Sequence, residues 1–134
     1  MSIQHKVVAG ILIRGGRVLL CQRKRDLAWY PGVWDLVGGH IEAAETPVAA
    51  LRRECREELG IDIGELSPSE ELKIILPNID LRVFIVSTWT GEPANAASHE
   101  HDTIGWYTAS EIDSLCLSDE KLAPLLKKIL SEQR

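Results

Sequence analysis

Thr46-Pro47 and Gly60 bracket the one stretch of this chain whose local structure its residues dictate almost completely. Threonine before proline suits an N-cap followed by the first helical position, where the missing proline N–H has no partner to lose. Gly60 stands where a residue of positive φ ends a helix. The spacing predicts a helix from Pro47 up to Gly60. Glu45 places negative charge at the positive end of its dipole. Val48, Leu51, Cys55 and Leu59 recur at three- and four-residue steps, so they form one apolar stripe that must pack on a core.

Glu54, Glu57 and Glu58 lie on another face of the same helix, where neighbours at i, i+3 and i+4 crowd together. No lysine shares that face, and Arg53 reads as adjacent to the cluster rather than within it. Like charges so arranged repel unless a cation sits among them. Hard oxygen ligands on a rigid helix suit Mg2+ or Mn2+. A bare Glu-Glu-Leu-Gly would be a solvated acidic helix end. The full set Gly39, Glu45, Arg53, Glu54, Glu57, Glu58 and Gly60 has a chance on the order of 10⁻⁸ per starting position at average composition.

These residues resemble the signature box of the Nudix hydrolases, G-x5-E-x7-R-E-U-x-E-E-x-G-U, where U is a bulky aliphatic. The box runs here from Gly39 to Ile61, and every fixed position matches. Cys55 stands at a U position and packs as a small hydrophobe. The resemblance implies an α/β fold, a Nudix-type α/β/α sandwich with a mixed, partly barrel-like sheet. It implies metal-dependent hydrolysis of a nucleoside diphosphate linked to another group. By the same resemblance, Glu54, Glu57, Glu58, the Gly39 carbonyl and Glu100 hold Mg2+ or Mn2+. Arg53 orients the carboxylates, and Glu45 and Gly60 support the loop–helix unit. The proton acceptor is Glu54, Glu57 or Glu100, and the sequence leaves that choice open. Outside the strict box, Val37 replaces a common proline and Ala44 a common glycine.

Length and charge narrow the class. A chain of 134 residues fits a single domain, and no linker, repeat or low-complexity tract divides residues 1–134. The net charge of −5 argues against nucleic acid and anionic membranes as partners, leaving a small-molecule nucleotide. Cys21, Cys55 and Cys116 are widely spaced and odd in number, which predicts reduced thiols in a cytoplasmic protein. No secretory segment opens the chain, and no apolar run reaches membrane-spanning length. Oligomeric state is left open, a homodimer included.

Around the box, element order predicts a mixed α/β domain. Residues 5–13 and Val18–Gln22 read as strands joined by a turn at Arg14-Gly15-Gly16-Arg17, the first covered on both faces. Arg23, closing the second strand ahead of Lys24 and Arg25, is the best-held candidate for phosphate contact. Trp29 and Tyr30 either stack on a base or pack under the loop. Val33–Val37 reads as a strand running into Gly38-Gly39, where backbone can approach metal or phosphate closely. Gly38 is thereby a substrate-binding candidate, and by resemblance His40 stands where a polar residue often contacts phosphate.

After the box, Ile61–Ile63 begins a strand and Ser67–Glu70 is a turn. Leu72–Leu76 and Leu81–Thr90 read as strands around Pro77–Asp80. His99-Glu100-His101-Asp102 ends a loop, and by resemblance Glu100 approaches the metals or acts as base, ahead of a strand at Thr103–Tyr107. Thr108–Glu111 is a capping box. Ser118 is the expected cap of a last helix with Pro124 in its first turn. Leu122, Leu125, Leu126, Ile129 and Leu130 form that helix's apolar stripe.

The favoured activity is cleavage of a (d)NTP, or an oxidised dNTP such as 8-oxo-dGTP, to monophosphate and pyrophosphate. Alternatives are hydrolysis of ADP-ribose or another nucleotide sugar, suggested by the position of Pro77, and isomerisation of isopentenyl diphosphate on the same fold. A non-catalytic nucleotide-sensing domain is a further alternative. The complete set of box carboxylates favours hydrolysis.

Overall fold

Gly15 and Gly16, with φ of 61° and 74°, turn β1 (His5–Arg14) back into β2 (Arg17–Arg23), and Arg14 pairs directly with Arg17. Two positive φ values give the mirror-image turn whose twist matches that of the strands it joins. Val8 through Leu12 are buried without a break, as expected for a strand covered on both faces. The chain continues through β3 (Trp34–Asp35), β4 (Val37–His40) and α1 (Pro47–Leu59). Then come β5 (Asp62–Ile63), β6 (Glu71–Leu76), β7 (Ile79–Val86), β8 (Trp89–Thr90) and β9 (His101–Tyr107), followed by α2 (Ala109–Ile112) and α3 (Leu122–Glu132). This computed structural model describes residues 5–28, 30–67 and 71–133. Trp29 and the 68–70 part of the expected Ser67–Glu70 turn lie outside them. The chain groups into two compact units, Met1–Ile11 with Val37–Ala96, and Leu12–Leu36 with Ala97–Arg134.

In the first unit, β4 pairs antiparallel with the start of β1, Val7 opposite His40 through Gly10 opposite Val37. β6 and β7 form a hairpin, and β7 is the neighbour of β1. Helix α1 buries Ala50, Leu51, Cys55 and Leu59, while Val48 stays half-buried. Leu51 and Leu59 are wholly buried, contributing about 2 kcal/mol each. A β-carbon on Gly10 would stand 3.2 Å from Leu51 Cδ1 and 3.4 Å from Val86 Cγ2, so a bare glycine lets α1 settle close to β1. Arg52 ties the helix to the other side of the unit, donating to the carbonyls of Ile63 and Gly64. The expected strand Leu81–Thr90 is two strands, because its end takes a different partner. Thr88 accepts from the Gly64 N–H at 2.8 Å, and β8 pairs with β5.

In the second unit, β2 pairs with β9 from Val18 opposite Tyr107 to Arg23 opposite His101, with a bulge between Gln22 and Arg23. β3 lies against β2 through Cys21–Asp35 and Gln22–Trp34. The expected strand Val33–Val37 is therefore interrupted: its two halves pair with different strands, and the Leu36 N–H is taken by Asp35 Oδ1 at 2.8 Å. Thr108 and Glu111 form the expected capping box on α2. Ser118 does not cap α3. Its N–H donates to the Trp34 carbonyl at 2.9 Å, and α3 starts after Lys121 without a side-chain cap, with Pro124 in its first turn. Leu122, Leu126 and Ile129 are the buried part of its stripe. Among the described residues no helix is long and apolar enough to cross a membrane.

Candidate functional site

The helix ends as its sequence demands. Thr46 Oγ1 accepts the Ala49 N–H at 3.1 Å, Pro47 occupies the first turn, and Gly60, at φ 70°, gives its N–H to the Arg56 carbonyl. With both ends held, the polar face of α1 presents its charged side chains in one orientation.

Arg53 is the centre of that face, not a neighbour of it. Its guanidinium donates Nε to Glu45 Oε2 at 2.9 Å and Nη2 to Glu45 Oε1 at 3.0 Å. Nη1 reaches Glu54 Oε1 at 2.8 Å and Glu57 Oε2 at 3.3 Å, and Nη2 also donates to the His40 carbonyl at 3.0 Å. The expectation that Arg53 stands outside the carboxylate cluster is corrected. Position i+4 brings Glu57 back to it, and a planar fork can serve several oxygens at once. Glu42 lies 3.8 Å away, and its N–H is held by Glu45 at 2.9 Å.

Glu58 turns elsewhere. It is 3% exposed, and its Oε2 accepts the Gly38 N–H at 3.2 Å. The three helix carboxylates of the box therefore divide, Glu54 and Glu57 on Arg53 and Glu58 on the Gly38 N–H. Gly38, a substrate-binding candidate, already gives its N–H to Glu58. Gly38 also needs to be glycine: a β-carbon there would sit 2.0 Å from the Val8 carbonyl oxygen. A β-carbon on Gly39 would come within 2.6 Å of Glu54 Oε1, so the backbone at Gly39 and the Glu54 carboxylate lie against one another. His40 contributes its carbonyl to Arg53, while its exposed ring meets His5 edge-on with centroids 5.3 Å apart. Ala44 holds φ at 69°, which explains why glycine suits this position.

Ionisation follows these partners. Glu45 is held at about 2 by its hydrogen bonds, first from Arg53 and then from the Glu42 N–H. The same contacts, Glu45 foremost, raise the Arg53 guanidinium above its ordinary value. Burial, reinforced by Glu58 and Glu54, pushes the Cys55 thiol up to about 12. Cys55 is inert packing, as expected of its place in the box.

The second unit holds the remaining candidates. Arg23 closes β2, its N–H on the Val33 carbonyl at 2.8 Å and its carbonyl receiving the Gly32 N–H at 3.1 Å. Glu100 stands in a tight turn, with its N–H on the Ala97 carbonyl at 2.8 Å. Its own carbonyl accepts the Lys24 N–H at 3.0 Å, so strand pairing brings it to the Arg23 end of β2. Its side chain is exposed, as is that of His99, 3.6 Å away. His101 is 6% exposed and opposite Arg23, and burial lowers its pKa. Nothing in the residues themselves distinguishes the two histidines, since strand β9 begins two residues earlier than the Thr103 start expected. Tyr30 is exposed and Pro77 lies in the β6–β7 turn.

Residues 4–132 match the NUDIX domain. A protein of Escherichia coli (strain K12) named CTP pyrophosphohydrolase is 34% identical over 130 residues, covering 94% of this chain and 91% of that one. A Mycobacterium tuberculosis (strain H37Rv) protein, provisionally named 8-oxo-dGTP diphosphatase 2, is 38% identical over 111 residues, 79% of this chain and 74% of that one. The crystal structure of a MutT NUDIX hydrolase from Burkholderia pseudomallei superposes with a TM-score of 0.78 at 26% identity, covering 94% of this chain and 98% of that one. The expected mixed α/β fold of the Nudix type is borne out by that likeness.

Proposed function

The chain belongs to the NUDIX family, and from that premise we propose that it is a divalent-metal-dependent pyrophosphohydrolase converting a nucleoside triphosphate to monophosphate and pyrophosphate. Residues 1–134 act as one such domain, which the match over 4–132 supports. The substrate class is supported by the names of the relatives, one for CTP and one for 8-oxo-dGTP.

The observation that carries the reading is the Arg53 network, which joins Glu45, Glu54, Glu57 and the His40 carbonyl beside Gly39. Carboxylate and carbonyl oxygens are the hard donors that Mg2+ or Mn2+ prefers, and the bare Gly39 backbone against Glu54 leaves no side chain in the way. Glu54, Glu57, Glu58 and the Gly39 carbonyl would hold the metal, with Glu100 added on family resemblance. When bound, Mg2+ supplies a Lewis acid for phosphate oxygens and lowers the pKa of a coordinated water. Arg53 holds Glu54 and Glu57 in place through its hydrogen bonds. Arg23 and His40 are the proposed phosphate contacts. One of Glu54, Glu57 and Glu100 takes the proton of the attacking water. The three free cysteines support a cytoplasmic setting.

The test is phosphate release with Mg2+, coupled to pyrophosphatase in one arm and phosphatase in the other, over (d)NTPs, 8-oxo-dGTP and ADP-ribose. Phosphate from a triphosphate in the pyrophosphatase arm is expected, and Glu57→Gln should lower turnover roughly 100-fold or more in a folded protein. Signal with phosphatase alone would shift the substrate to ADP-ribose or a nucleotide sugar. Full turnover by folded Glu57→Gln would sink the site assignment.

A further inference from the structure

His5 and His40 stand side by side in the first unit, their imidazole centroids 5.3 Å apart and their planes at 68°. The sheet puts them there. Val7 lies opposite His40 in the antiparallel pairing of β1 with β4. The Ile41 N–H donates to the Lys6 carbonyl at 2.9 Å, so Lys6 and Ile41 form a hydrogen-bonded pair. Val7 and His40 then form a non-hydrogen-bonded one, in which side chains approach more closely. His5 shares the face of Val7, two residues on, and is the diagonal neighbour of His40, within reach of a long side chain.

Both backbones are held. The His5 N–H donates to the Asn78 carbonyl at 2.7 Å, which ties the start of β1 to the β6–β7 turn. The His40 carbonyl accepts from Arg53 Nη2 at 3.0 Å. Both side chains are nonetheless exposed. Any two aromatic rings could make an edge-on contact. A pair of imidazoles also carries ring nitrogens with lone pairs, which are preferred ligands of zinc.

The separation selects the ion. A metal about 2.1 Å from a ring nitrogen lies roughly 3.2 Å from that ring's centroid. Two imidazoles at the tetrahedral angle then have centroids about 5.2 Å apart, and at the octahedral right angle about 4.5 Å. The observed 5.3 Å fits the tetrahedral ion. Aiming one nitrogen of each exposed ring at a common point needs only rotation about the second side-chain torsion, which is broad. Nitrogen donors in tetrahedral geometry suit Zn2+, whereas Mg2+ takes oxygen in an octahedron. Among the described residues no third acidic, cysteine or histidine side chain joins the pair, so water completes the set. Two protein ligands make an exchangeable site rather than a structural one.

We propose that His5 and His40 form an exchangeable Zn2+ site that clips the start of β1 to the end of β4, apart from the carboxylate site proposed for Mg2+. If His40 contacts phosphate as proposed above, bound zinc also competes with substrate, but the zinc site stands whether or not that reading holds. The experiment is calorimetric titration of the full chain with Zn2+ in excess Mg2+, with folding checked by circular dichroism. Wild type should bind one Zn2+ that His5→Ala and His40→Ala each bind at least tenfold more weakly. His5→Phe keeps an aromatic edge beside His40 without a ligand nitrogen, and it should lose the same ion. The double variant His5→Ala/His40→Ala should lose no more than either single one. Equal zinc binding by wild type and either folded alanine variant, retention of the ion by His5→Phe, or loss of a second ion in the double variant would each overturn the proposal.

Discussion

Arg53 grips Glu45 with two hydrogen bonds, Nε to Oε2 at 2.9 Å and Nη2 to Oε1 at 3.0 Å, while its remaining nitrogen serves Glu54 and Glu57. One planar fork thus joins the loop before α1 to two carboxylates on the helix. Lysine offers a point charge and cannot hold both edges. Arg53→Lys should therefore lower turnover roughly 10- to 100-fold, with half-saturation at higher Mg2+, as expected for a residue acting through the proposed metal ligands. Steady-state kinetics against Mg2+ concentration would check it, and an unchanged Mg2+ response would count against the positioning role.

Gly38 and Gly39 are adjacent, yet alanine should do different things at each. At Gly38 the new β-carbon meets the Val8 backbone oxygen at 2.0 Å, which cannot move without disturbing β1, so stability should fall by about 3 kcal/mol. At Gly39 it meets the end of the Glu54 side chain at 2.6 Å, which can swing aside. Gly39→Ala should stay folded and lose activity. Denaturant melts beside turnover measurements separate the two outcomes.

Glu45 supplies a pH signature. Its folded pKa of about 2 lies below its ordinary 4.5, so below that value the unfolded chain binds more protons. Its contribution is complete above pH 4.5 and is lost as pH falls toward 2. Arg53→Gln removes the main cause of the shift. Metal-free wild type should lose stability more steeply across this window than the variant, as read from denaturant midpoints. Parallel slopes would exclude the effect.

Ala44 holds a left-handed φ of 69°, which costs an L-residue about 1–2 kcal/mol. Glycine relieves that strain but adds freedom to the unfolded chain. Ala44→Gly should raise stability by roughly 0.5–1 kcal/mol, measured as a shift in urea midpoint with unchanged slope.

The features legible before folding are local. Thr46, Pro47, Gly60 and the stripe of Leu51, Cys55 and Leu59 act within a few residues of one another, and the helix they predict is the helix observed. Gly15-Gly16 closed its turn for the same reason. The signature residues were equally legible, because their spacing is itself the signal. Tertiary structure decided where the side chains went. Glu54, Glu57 and Glu58 look alike on a helical wheel, but Glu58 is drawn into the core by the N–H of Gly38, a residue held in place by its pairing with β1. Arg53 moved from the margin to the centre because Glu45 and the His40 carbonyl, outside the helix, converge on it. The strands predicted at Val33–Val37 and Leu81–Thr90 broke where the chain changed partners. Periodicity records the face a residue occupies. Its hydrogen-bond partner comes from a distant part of the chain, and only the fold brings the two together.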